Sequence, residues 1–181
     1  MFSVCYVLPE YPVLSQTFVH AELVALAAAG VKVGVVCHKA GDPGIRFGEG
    51  PDGLPFPNLH TDLRAPGLDA VLAQFDHLHG HFADFGVRTL GPIAERVGKP
   101  FSMMCHAYDL FRQDAAVRPS EWQKLSQNCS RVITISRFHR DFIAERGVAK
   151  ERIAVVPNAA RLAQLIATAP SSAHLSKEGP G

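Results

Sequence analysis

Two rhythms of apolar and polar residues alternate along the chain. Phe2 to Leu8 is a short unbroken apolar run stopped by Pro9 and Pro12, the pattern of a strand buried on both faces. From Thr17 to Ala29 the spacing becomes helical, with Phe18, Ala21, Ala25 and Ala28 recurring beside Val19, Leu23 and Leu26. Ser15 or Gln16 stands at the start of that helix and Gly30 at its end. Val31 to Cys37 is the next strand, so the chain opens as a strand–loop–helix–turn–strand unit. The same alternation predicts a short helix over 68–75, a strand over 76–82 and a helix over 85–97 ended by Gly98. It continues with a strand over 100–105, a helix over 121–128 and a strand over 131–135. A helix over 137–146 stopped by Gly147 and a strand over 152–156 complete the series.

Strands joined by helical crossovers specify an α/β, Rossmann-like domain of three layers, with a mostly parallel sheet of about six strands. Such sheets bind ligands beyond the C-terminal ends of their strands, so polar clusters that directly follow a strand are the candidate sites. Residues 41–58 hold five glycines and four prolines and predict a long loop, either an acceptor-facing lid or a variable surface excursion. From Arg161 a short helical pattern passes into a polar Ser-, Gly- and Pro-containing tail.

Composition narrows the function classes. With 47% hydrophobic and 19% charged residues the chain has a true core and is not a disordered segment. Eighteen basic residues against seventeen acidic ones give a net charge of +1, and Arg137, Arg140, Lys150 and Arg152 are scattered, so no nucleic-acid partner is expected. Cys5, Cys37, Cys105 and Cys129 lack the short spacing of a zinc or redox motif; Cys5, Cys37 and Cys105 sit inside apolar strand-like runs, and buried packing is the expected role, in a reducing compartment. The first residues show neither the basic region nor the apolar stretch of a signal peptide, and no run reaches membrane-spanning length, which predicts a cytoplasmic protein.

Five polar clusters follow strands. Tyr11-Pro12-Val13-Leu14-Ser15-Gln16-Thr17-Phe18 places small hydroxyls at a helix N-terminus, suited either to an anion or to simple capping. It lacks the G-x-G-x-x-G fingerprint of a dinucleotide site, which argues against a nicotinamide or flavin enzyme. His77, His79 and His81 would share one face if their strand continued, a metal-like spacing, but no nearby carboxylate or thiol completes the set and Gly80 suggests that the strand breaks. No metal site is expected, and the histidines are read as cleft lining. His106 and Asp109 suit either an imidazole held in one tautomer by a carboxylate, or a backbone-bonded His beside a turn-capping Asp. Thr134-Ile135-Ser136-Arg137 passes from strand to helix through Ser136, and Val155-Val156-Pro157-Asn158 leaves the last strand.

In order and spacing these segments resemble family 4 glycosyltransferases, particularly the colanic acid and exopolysaccharide branch. The resemblance rests on Tyr11-Pro12 through Phe18, His79-Gly80-His81-Phe82, His106-Ala107-Tyr108-Asp109-Leu110-Phe111, Thr134-Ile135-Ser136 and Pro157-Asn158, and spans roughly residues 1–158. It implies the N-terminal, acceptor-side half of a GT-B fold, with residues 159–181 standing where a donor-binding domain would follow. The implied reaction is retaining transfer of a hexosyl group from a nucleotide sugar to a glycan or lipid-linked acceptor. No cofactor or metal is implied, because helix N-termini and basic side chains neutralise the leaving diphosphate.

Carried over by position, His106 and Asp109 are catalytic, and Ser15, Gln16 and Thr17 form a loop on the phosphate or acceptor side. Tyr11, His79, His81, Ser136 and Arg137 line the acceptor cleft, and Asn158 marks the interdomain edge. The partner is then a donor-binding domain in cis or in trans, and without it the chain is inactive. A lipid-linked acceptor would bring the protein to the inner face of the membrane. The other function class that fits is a non-catalytic module that binds a glycan or a partner. Ala159 and Ala160 stand where the family has Gly and then an acidic residue, and Gln16 where Glu is common.

Overall fold

A computed structural model describes residues 1–41, 58–112 and 116–157. Of the long loop predicted over 41–58, residues 42–57 lie outside the described residues, as do the tail and Asn158, while Asn58 belongs to a strand. Seven parallel strands form one sheet: β1 (Ser3–Tyr11), β2 (Lys32–Ala40), β3 (Asn58–His60), β4 (His77–His81), β5 (Phe101–Cys105), β6 (Cys129–Thr134) and β7 (Ile153–Val155). Their order is β3-β2-β1-β4-β5-β6-β7. The helices are α1 (Thr17–Ala28), α2 (Leu68–Leu72), α3 (Ala83–Phe85), α4 (Gly91–Val97), α5 (Ala107–Phe111), α6 (Pro119–Asn128) and α7 (Arg137–Ala144). A π-helical turn over Gly86–Leu90 joins α3 to α4, so they run on as one rod.

The unbroken apolar run in β1 has a direct cause, because its successive residues face opposite layers. Val4, Tyr6 and Leu8 pack with Val33, Val35 and Cys37 of β2 and with Val19 and Leu23 of α1. Cys5 and Val7 point the other way, into a larger core closed by Leu72 of α2, Ile93 of α4, Trp122 of α6 and Ile143 of α7. All four cysteines are buried free thiols; burial pushes the Cys5 thiol up to about 12, so it packs as a small apolar group.

The seventh strand is β3, a three-residue edge strand paired with Val35–Cys37 of β2. It is too short, and too close to the Pro/Gly-rich segment, to stand out as an apolar run. The five-residue helix α5 is a second addition to the predicted set. Gly80 corrects an expectation, because it does not break β4. The strand runs through it to His81, with Gly80 paired to Met103 of β5. A Cβ there would lie 2.8 Å from Leu90 Cδ2 and 3.0 Å from the Val7 carbonyl oxygen. The glycine is what lets the π-helical turn press against the sheet at this point.

Strand order reverses between β1 and β4, since β1 leads outward to β2 on one side while β4 begins the march to β5, β6 and β7 on the other. The crossovers diverge there and leave a crevice at the C-terminal ends of the strands. Among the described residues no helix is long and apolar enough to cross a membrane.

Gly80→Ala should overpack this seam and lower stability by about 1–3 kcal/mol, read as an earlier midpoint in urea unfolding. An unchanged midpoint would mean that the turn is not seated as described.

Candidate active site

The crevice is organised by one carboxylate. Asp109, 4% exposed in α5, accepts the backbone N–H of His106 at 2.8 Å through Oδ1 and that of Ala83 at 2.5 Å through Oδ2. Those two N–H groups open α5 and α3, so Asp109 ties the exit of β5 to the exit of β4. Between them Phe82 holds a left-handed backbone with φ 75°, uncommon for a residue with a side chain, at the point where β4 turns into α3. Burial raises the Asp109 carboxyl to about 6, although the N–H donors pull against it. The second of the two sequence-level alternatives therefore holds for Asp109: it caps the turn and does not grip the imidazole.

The partner of the His106 imidazole is His81. His106 Nε2 lies 3.0 Å from His81 Nδ1, with the rings stacked at 14°. Behind His81 stands Glu22 of α1, its Oε2 3.3 Å from His81 Nε2 and its Oε1 3.8 Å from His79 Nε2. Tyr6 donates its hydroxyl to Glu22 Oε1 at 2.7 Å. His79 Nδ1 and His77 Nε2 each lie 2.8 Å from the Ser102 hydroxyl. Burial alone would raise the Glu22 carboxyl, but the facing His81 and His79 and the Tyr6 hydroxyl outweigh it and hold it at about 2. Burial, reinforced by His81, depresses His106 to about 4, so at neutral pH it meets the cleft as an uncharged imidazole.

A cavity of about 690 Å³ opens in front of His106, at the reversal point of the sheet. Phe18, Phe82, Phe85 and Tyr108 give it flat apolar walls, and Ser15, Gln16, Thr89 and His106 give it hydrogen-bonding groups. Arg88 and Arg112 stand on its lining with Asp84 and Asp109. Arg88 also binds Glu121 at 3.0 Å, and Arg112 lies over the Tyr108 ring at 4.8 Å.

Of the residues singled out from the sequence, Ser15, Gln16, His106 and Asp109 come together on this cavity. Gln16 takes the N-cap position of α1 but makes no side-chain capping bond, and Ser15 lies in the 3-10 turn that precedes the helix. Gln16 Oε1 has no hydrogen-bond partner among the described residues. Thr17 is exposed beside the cavity and off its lining. Tyr11, His79 and His81 are buried behind the wall, not on it; Tyr11 bonds His20 Nδ1 at 2.9 Å. Ser136 caps α7 by accepting the His139 N–H at 3.2 Å, and Arg137 is exposed on the first turn of that helix; neither lines the cavity. Residues not anticipated are Glu22, Phe82, Arg88 and Arg112. Glu22 had a signal, as the one acidic residue in the mostly apolar α1.

Asp109→Asn leaves one of the two N–H groups facing an amide NH₂ and should cost about 1–3 kcal/mol. The folded Asp109 carboxyl is raised above its ordinary value, so its contribution is fully present below about pH 4 and is lost as pH rises through about 6. The stability gap between wild type and variant, followed by thermal unfolding against pH, should therefore be widest at acid pH and narrow across that window. A gap independent of pH would rule out the raised carboxyl.

The fold has solved counterparts. UDP-GlcNAc 2-epimerase from Methanocaldococcus jannaschii superposes with a TM-score of 0.60 at 12% identity, over 87% of this chain and 46% of that one. HepE from Anabaena, solved with UDP-glucose, gives 0.56 at 12% identity over 88% of this chain and 44% of its own. UDP-GlcNAc 2-epimerase from Neisseria meningitidis, solved with UDP-GlcNAc, gives 0.52 at 11% identity over 87% and 47%. At such identities the likeness establishes the fold, and this chain spans less than half the length of each of these proteins. No curated protein matches the sequence. The family model for Glycosyltransferase Family 4 matches residues 15–164, most of the chain and all of the residues around the cavity except Pro9, and the chain therefore belongs to that family.

Proposed function

We propose that this domain is the acceptor-side half of a retaining glycosyltransferase that moves a sugar from a nucleotide-sugar donor to a glycan or lipid-linked acceptor in exopolysaccharide synthesis. The observation that carries this reading is the cavity itself. Its volume suits one or two sugar rings, it lies at the reversal point of the sheet, and an uncharged, fixed imidazole faces into it. The aromatic walls offer faces for the C–H side of a sugar, while Ser15, Gln16, Thr89 and His106 offer partners for its hydroxyls.

Held by His81 behind and by the Asp109 clamp below, His106 pays little to be ordered when a sugar hydroxyl binds it. Its role is to position the reacting sugar, and Asp109 acts through the loop that carries it. The donor's diphosphate is gripped by a second domain, in cis or in trans, and is neutralised by helix N-termini and basic side chains, without a metal ion at the leaving group. The exposed aromatics Tyr108, Phe111 and Phe138, together with Leu14, support such a docking partner. The work is done in the cytoplasm, at the inner face of the membrane when the acceptor is lipid-linked.

Calorimetric titration of the purified chain should show binding of short glycan acceptors and none of nucleotide sugars, and the chain alone should transfer no sugar. His106→Ala should weaken acceptor binding by about tenfold, the loss of roughly one hydrogen bond in a closed site. Tight nucleotide-sugar binding by this chain alone would assign the cavity to the wrong ligand.

A further inference from the structure

The histidine cluster behind the cavity has the composition of a metal centre. No carboxylate close in sequence completes it, and the fold brings one from far along the chain. Glu22 comes from α1, and His79 and His81 come from one face of β4 because the strand runs on through Gly80. One donor atom from each of the three lies within 4.8 Å of the others, with Glu22 3.3 Å from His81 and 3.8 Å from His79. In a four-coordinate zinc site with bonds of about 2.0–2.2 Å, neighbouring donors sit roughly 3.4 Å apart. The Glu22–His81 pair already stands at that spacing, and the widest separation in the cluster, at most 4.8 Å, has to close by about 1.4 Å on binding.

A second observation points the same way. His79 is 4% exposed and His81 0%, yet Nε2 of each meets only the Glu22 carboxylate, at 3.8 and 3.3 Å, and makes no well-aligned hydrogen bond among the described residues. Buried imidazole nitrogens are rarely left so. Both are turned toward Glu22, whose carboxyl is not protonated at neutral pH. Their other nitrogens are already engaged as those of metal-bound histidines are: His79 Nδ1 with the Ser102 hydroxyl at 2.8 Å, and His81 Nδ1 with His106 Nε2 at 3.0 Å. Tyr6 orients the carboxylate from behind at 2.7 Å. The Glu22 side chain is 33% exposed, which gives an ion a way in and leaves room for water as a further ligand.

We propose that Glu22, His79 and His81 bind a divalent transition-metal ion of the zinc class through two Nε2 atoms and a carboxylate oxygen. The ion sits behind the cavity wall and touches neither acceptor nor diphosphate. With Nε2 of His81 on the metal, its remaining proton stands on Nδ1, which makes His81 the donor to His106 Nε2 and fixes the imidazole that faces the cavity. This inference rests on the geometry of the cluster and stands apart from the glycosyl-transfer proposal.

The test is titration of chelator-stripped protein with Co²⁺, a coloured substitute for zinc, followed by absorption and by thermal unfolding. The expected result is one equivalent bound with the visible spectrum of a low-coordinate nitrogen and oxygen site, displacement by Zn²⁺, and a higher Tm with metal than without. Glu22→Gln and His79→Gln, each verified as folded by circular dichroism, should weaken Co²⁺ by tenfold or more. His38→Gln, at an exposed histidine on β2, should bind as wild type does. Should His79→Gln not fold, Glu22→Gln decides, because its side chain is partly open to solvent. A wild type without the spectrum, or variants that bind cobalt as tightly as wild type, would overturn the proposal.

Discussion

One buried carboxylate joins two strand exits, and the site depends on it. Asp109 takes the N–H groups that open α3 and α5, so β4 and β5 end in a fixed relation and Phe82 is held in a backbone conformation that few side-chain-bearing residues adopt. His106 inherits its place from that clamp, because it is the residue at which β5 turns into α5. The sheet supplies the rest: with β1 and β4 adjacent at the reversal of strand order, the clamp stands at the one edge where crossovers on opposite faces part. A site assembled on strand ends keeps its geometry without relying on long loops.

The second layer of control is electrostatic. Glu22 reaches across from α1 and sets the environment of His81, which in turn sets that of His106. The consequence is an imidazole that meets the cavity uncharged, with its orientation fixed from behind. That is a suitable group for holding a sugar hydroxyl and an unsuitable one for neutralising a diphosphate, which supports the proposed division of labour with a donor-binding domain.

Much of this was legible in the sequence, and what was not has definite physical causes. The apolar runs in β1, β2 and β5 announced strands buried on both faces, and Gly30 and Gly98 stopped helices with the left-handed backbones expected of them. β3 and α5 were hidden because three and five residues are too few to show a period. Gly80 looked like a strand break because sequence shows the missing side chain and not the Leu90 methyl that occupies its place. His106 and Asp109 were found as a pair, but their relation was not, since spacing cannot tell a bond to an imidazole from a bond to the backbone N–H of the same residue. Glu22 stood out only as an acidic residue in α1, not as a partner of the histidines, because they lie on a strand far along the chain and only the parallel pairing of β1 with β4 brings them under α1.

The most direct test of this account is long-range ¹H–¹⁵N NMR of the histidine rings in metal-free protein, at neutral pH, in wild type and in Glu22→Gln. The account predicts that His81 and His106 each show a single fixed tautomer, with one protonated and one bare nitrogen across their shared hydrogen bond, and that the Glu22 variant disturbs both rings. Two rings averaging freely between tautomers, with neither responding to Glu22, would contradict it, and the cavity would then lack the positioned group on which the proposed function depends.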